Sequence, residues 1–168
     1  MTSIVSETSP ANFDYTVTAN GKVSEVASAT FEITVLSSWY GFGGLARNIK
    51  VKNNYAYVAK RFGGLEIYDV TIPAIPVLIS RTNAGTEDAH EVEISIDENT
   101  AYIANYQAGF IMVDVTNPAS PGLIANFQSQ GNGHGVAISN DENTAYLAND
   151  SNGLVIIDIT TPVTPLEK

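Results

Sequence analysis

The chain has two histidines, His90 and His134, at equivalent places in consecutive copies of an internal repeat; Arg47 holds that place in the first copy. Neutral imidazole binds divalent metals and carries protons near neutral pH. Two imidazoles entering from neighbouring sheets, which stack about 10 Å apart and closer near a common axis, can converge on one ion. A catalytic metal typically takes three protein ligands and an open position. His90 and His134 are thus a candidate pair for a divalent metal, one ligand short, with the Arg47 cation in the third place. The same column also reads as binding positions, Arg47, His90 and His134, at a channel mouth, or as structural histidines bonded to neighbouring loops.

Asp69, Asp114 and Asp158 form a second column, each followed by a branched residue, a threonine (Thr71, Thr116, Thr160) and a proline step. A carboxylate there can accept backbone N–H groups that the turn leaves over. The proline then fixes φ and ends the strand. This predicts structural turn caps rather than a catalytic trio. The turns Asp97-Glu98-Asn99 and Asp141-Glu142-Asn143 and the loop 149–153 hold oxygen ligands of the kind calcium takes, without the EF-hand spacing. The chain has no GxSxG, Walker loop, HExxH or dinucleotide fingerprint.

The elements that must position these residues follow from the repeat. Segments 48–76, 91–121 and 135–165 align, with Pro73, Pro118 and Pro162 in one column and Pro76, Pro121 and Pro165 in another. The first copy is shorter in its first turn, around Asn53. Each copy begins with an apolar–polar alternation such as EVEISI, the period of a half-buried strand. A polar turn leads to a second strand, TAYIAN or TAYLAN. A glycine turn leads to a third, LEIYDV, FIMVDV or LVIIDI. The third strands are apolar almost throughout, which predicts cover on both faces. A fourth strand, VLISRT or GLIANFQ, follows the second proline in the first two copies. β-Branched and aromatic residues crowd every apolar run, so helix has no foothold. Four strands in about 44 residues match one β-propeller blade.

The stretches GLEIYDVT, GFIMVDVT and GLVIIDIT, each with its x-P-x-x-P step, resemble the LVIVD repeat, a family of bacterial and archaeal surface proteins. The resemblance covers roughly residues 45–168. It implies propeller blades and an extracellular or cell-surface setting, and it implies no catalytic residues. The tyrosine strands TAYIAN and TAYLAN also look like those of the wider YVTN-like propeller group.

The expected fold is all-β: a partial β-propeller of three four-stranded blades over 36–168, with repeats at about 46–83, 88–127 and 132–168. Residues 1–35 are expected to be the last strands of an Ig-like or cadherin-like module, because Phe13, Tyr15 and Val17 alternate before Asn20-Gly21 and a return strand carries Phe31, Ile33 and Val35. Leu36–Tyr40 fits the register of a blade's outer strand. The third copy is expected to stop at Leu166-Glu167-Lys168, before its fourth strand. Propellers close with about four to eight blades. Either the rest of a longer chain or a second copy therefore supplies the missing ones.

Composition narrows the function. The 168 residues carry a net charge of −10, which argues against nucleic acid as a partner. Cysteine is absent, which removes disulfides and thiol chemistry. No apolar run is long enough for a transmembrane helix. MTSIVSETSP has neither a basic flank nor an apolar core, so no signal peptide is expected in it. Residues 46–83 carry +4, residues 84–168 carry −11 and residues 1–45 carry −3. The expected role is a non-enzymatic binding or adhesion scaffold without a cofactor, a fragment of a larger surface protein, with a protein or carbohydrate ligand. The alternative is a metal-dependent propeller enzyme using the channel histidines.

Overall fold

The computed structural model describes residues 11–15, 18–19, 22–23, 27–31, 44–82 and 88–168. The chain separates into two compact units, residues 1–38 and 39–168. In the first, β1 (Ala11–Tyr15) pairs antiparallel with β4 (Ala27–Phe31), and β2 (Thr18–Ala19) with β3 (Lys22–Val23). The Asn20-Gly21 turn and the Leu36–Tyr40 outer strand anticipated above lie outside the described residues.

The second unit holds three four-stranded antiparallel blades, each a simple meander. The first is β5 (Ala46–Lys52), β6 (Tyr55–Lys60), β7 (Gly64–Asp69) and β8 (Val77–Thr82). The second is β9 (Ala89–Ile94), β10 (Thr100–Asn105), β11 (Gly109–Asp114) and β12 (Gly122–Phe127). The third is β13 (Gly133–Ile138), β14 (Thr144–Asn149), β15 (Leu154–Asp158) and β16 (Leu166–Glu167). The third copy therefore does not stop before its fourth strand: Leu166 and Glu167 pair with Asp158 and Ile157 and begin it. Among the described residues the only helical piece is a 3-10 turn at Asp150–Asn152, and no helix is long and apolar enough to cross a membrane.

Two apolar layers fill the gaps between blades. Tyr57, Leu65 and Ile67 of the first blade meet Val92, Ile103 and Ile111 of the second. Tyr102, Phe110 and Met112 from the other face of the second blade meet Val136, Leu147 and Ile157 of the third. The near-continuous apolar reading of the third strands holds for β7 and β11, whose residues are buried on both faces up to the final aspartate. It fails for β15, where burial alternates and Leu154 is 62% exposed, against 0% for Leu65 at the same register of the first blade. No described residue packs on that side of the third blade. On the inner strand of the first blade, Ile49 is likewise 56% exposed, whereas its counterpart Val92 is fully buried.

Polar links run between blades as well. The Glu91 carboxylate accepts the Val136 N–H at 3.0 Å, and Glu142 accepts the Ile96 N–H at 2.8 Å. Lys50 and Glu93, on adjacent inner strands, form an ion pair at 2.6 Å with both side chains partly solvated. Solvent screens such a pair, so a double-mutant cycle on K50A and E93A should return a coupling below about 1 kcal/mol by urea unfolding. A larger value would mean that the channel side of the blades is drier than these exposures indicate.

Candidate functional site

The antiparallel registers bring two kinds of loop to one rim. Ala46 lies opposite Lys60, Ala89 opposite Asn105 and Gly133 opposite Asn149. Residues entering the inner strands therefore share an end with the turns that follow the second strands. His90 and His134 enter there, and so do Arg61-Phe62, Tyr106 and Asp150 from the turns.

These side chains form one continuous run of contacts across three blades. The Arg61 guanidinium sits 4.7 Å from the centroid of the Phe62 ring, and its Nε lies 3.6 Å from Asp88 Oδ1. The same carboxylate oxygen lies 3.3 Å from His90 Nε2. Tyr106 stacks on His90 with centroids 5.2 Å apart and meets His134 edge-on at 5.3 Å. The two imidazoles are 5.1 Å apart in a T-shaped arrangement. His134 Nε2 lies 3.6 Å from Asp150 Oδ1, and Asn132 donates to the same carboxylate at 2.8 Å. Asp88 and Arg61 Nε are buried, and neither Arg61 Nε nor Asp88 Oδ1 completes a hydrogen bond of good geometry among the described residues.

Burial holds the His90 imidazole below its ordinary pKa; Asp88 pulls it up, while His134 and Arg47 push it down. The ring is therefore neutral at pH 7 and works as a stacking and hydrogen-bonding surface. Among the described residues, no three His, Cys, Asp or Glu side chains converge as metal ligands would. His90 and His134 are brought together, each with its Nε2 turned toward a carboxylate. Phe62 is exposed and has φ 60°, a left-handed conformation that a bulky residue rarely adopts.

Asp69, Asp114 and Asp158 lie at the ends of the third strands. Each accepts the backbone N–H of the threonine two residues on, at 2.8, 2.9 and 3.0 Å. Hydrogen bonds from those threonines hold all three carboxyls below the usual aspartate range.

A second cluster has no counterpart in the sequence reading. Glu66, fully buried on β7, accepts hydrogen bonds from the Tyr68 hydroxyl at 2.6 Å, from Lys60 Nζ at 3.2 Å and from Arg81 Nε at 2.8 Å. The other blades carry Ile111 and Val155 in its place. That contrast was the available signal: a carboxylate inside a strand whose siblings are wholly apolar needs buried cations. Arg61, Asp88 and Tyr106 were also missed, and Asp150 was noticed only as a calcium-type oxygen ligand in the loop 149–153, not as a neighbour of His134. They occupy loop columns whose members differ from blade to blade, so alignment gives no common chemistry to notice.

The family model for the LVIVD repeat matches residues 43–84, 89–129 and 130–168. Among curated proteins, none matches. Of solved structures, the computationally designed Ika4 protein is similar at TM-score 0.62 and 12% identity, over 79% of this chain and 77% of that one. A putative 6-phosphogluconolactonase from Bacteroides fragilis NCTC 9343 is similar at TM-score 0.63 and 14% identity, over 90% of this chain and 44% of that one. The Cps50 (Swd1) beta-propeller domain of Myceliophteria thermophila is similar at TM-score 0.58 and 10% identity, over 81% and 49%. The chain thus spans less than half the length of the last two. At such identities the likeness is one of fold. Nothing in these comparisons supports a cadherin-like origin for residues 1–35.

Proposed function

The chain belongs to the LVIVD-repeat family, and from that premise we propose that it is a non-enzymatic binding scaffold of an extracellular or cell-surface protein, taking a protein or carbohydrate ligand at the rim. The observation that carries the reading is the unbroken run of rings, cations and carboxylates from Phe62 to Asn132. An antiparallel bridge between Arg61 and Asp88 holds its buried members, while Phe62 and His134 remain exposed to a ligand. Ring faces offer stacking area to sugar C–H groups or apolar side chains, and the flanking Asp150 and Asn132 offer hydrogen bonds that fix orientation. Arg47 lies close enough to act on His90 electrostatically and adds a cation at the blade 1 side.

A glycan array and a peptide library probed with the 168-residue chain test this. We expect a hit whose affinity falls about tenfold or more in Tyr106→Ala and in His134→Ala, since stacked rings at binding surfaces carry roughly that much. The change Thr164→Ala, in the proline-step loop, should leave that affinity unchanged. Absence of any hit, or a hit indifferent to both ring substitutions, would overturn the reading.

The 5.1 Å approach of His90 and His134 favours a second reading, a metal-dependent enzyme. Two imidazoles alone would leave a catalytic ion short of the usual three protein ligands. Elemental analysis after incubation with zinc or manganese separates the two: stoichiometric metal lost in His90→Ala and His134→Ala would favour the enzyme.

A further inference from the structure

We propose that two copies of this chain close on each other, the third blade of each packing on the first blade of the other, to form one ring of six blades. The junctions already present define the rule. Across each, the inner and second strands of one blade press on the inner strand of the next. Tyr57 and Leu65 cover Val92 and Ile94 in this way, and Tyr102 and Phe110 cover Val136. The uncovered members of these columns are Tyr146 and Leu154 on the third blade and Ile49 and Val51 on the first. What one end lacks, the other end presents. A recess of about 570 Å³, lined by Ile49, Ala56 and Val58 and also by Arg47, Lys60 and Glu66, offers room for the incoming side chains.

Electrostatics continue along the same step. At the rim, the turn residue of one blade meets the residues entering the next: Arg61 reaches Asp88 beside His90, and Tyr106 reaches His134. One step further, the turn residue is Asp150 and the entering residue is Arg47, which are opposite charges. Whole blades agree. Residues 46–83 carry +4, and residues 132–168, with five acids and one lysine, carry −4. The three blades of the described residues make six in two copies, inside the range of about four to eight at which propellers close. A head-to-tail contact that failed to close would instead grow into filaments.

Light scattering on the purified 168-residue chain at tens of micromolar tests the proposal. The expected mass is twice 17.9 kDa. Ile49→Glu and Leu154→Glu should each give the single-chain mass with an unchanged far-UV spectrum, because both side chains are exposed in one copy. Mixed in equal amounts, the two variants should re-associate through their one intact junction. Arg47→Asp and Asp150→Arg should each weaken the dimer about tenfold, and the double swap in one chain should restore it. A folded wild-type monomer, a dimer untouched by all four changes, or a ladder of ever larger species would overturn the proposal.

Discussion

Glu66→Gln should lower folding stability by about 3–5 kcal/mol, the usual cost of removing one partner from a buried ionic cluster. Lys60 is only 4% exposed, so losing the carboxylate leaves a largely buried ammonium without its charge partner. Arg81, about one-third exposed at its side chain, can re-hydrate and suffers less. Urea unfolding followed by circular dichroism measures the loss. The informative control is the variant carrying Lys60→Asn, Glu66→Ile and Tyr68→Val, which installs the residues of the second blade at the same register. Because this variant removes both buried charges together and leaves only the partly solvated Arg81, it should recover most of the loss. If it is as unstable as Glu66→Gln, the cluster has a role beyond satisfying its own charges.

The same cluster sets a pH dependence. Burial alone would raise the Glu66 pKa, but hydrogen bonds from Tyr68, Lys60 and Arg81 more than offset it and hold the carboxyl below its ordinary value. A depressed carboxylate contributes its stability fully above the unfolded value, about 4.3 for Glu, and loses it as pH falls through the folded value. Asp97, held down by Ser95 and Asn99, shifts in the same direction. Urea midpoints should therefore stay level near pH 7 and begin to fall below the unfolded His value of about 6.5, because half-buried His90 resists protonation. They should fall again on the acid side of about 4.3, this second fall being less steep in Glu66→Gln than in wild type.

Gly109→Ala is expected to cost about 3 kcal/mol or more, combining left-handed backbone strain of about 1–2 kcal/mol with overpacking of similar size. Gly109 has φ +80°, and a Cβ there would lie 2.7 Å from both the Phe127 carbonyl oxygen and the Ser129 amide. Both contacts are backbone of the neighbouring outer chain and cannot swing aside. Gly153, at the same register of the third blade, has φ +66° but meets nothing within 4 Å. Gly153→Ala should therefore lose only the strain contribution, about 1–2 kcal/mol. Equal losses at the two sites would mean that strain alone decides and that the close approach of the outer strand is soft.

How much of this could be read in advance depends on whether a feature repeats. The strand pattern, the turn positions and the proline step recur three times in register, and local sterics enforce each of them, so the chain alone determined three blades, all but the fourth strand of the last. The column of Arg47, His90 and His134 was visible for the same reason. The Glu66 cluster was hidden because it breaks the column it stands in, and its meaning depends on Lys60 and Arg81, which only the folded blade brings within reach. The rim ladder was half visible: the histidines repeat, while Arg61, Tyr106 and Asp150 share a place without sharing a chemistry.

What the sequence by itself determined, then, is the identity of each blade, because alternation, turn residues and proline act over a few neighbouring positions. What only the tertiary structure decided is which copies of identical-looking strands are covered. Leu65 and Leu154 are the same residue at the same register, one buried and one exposed, because burial is a property of the neighbouring sheet and not of the strand that carries the leucine.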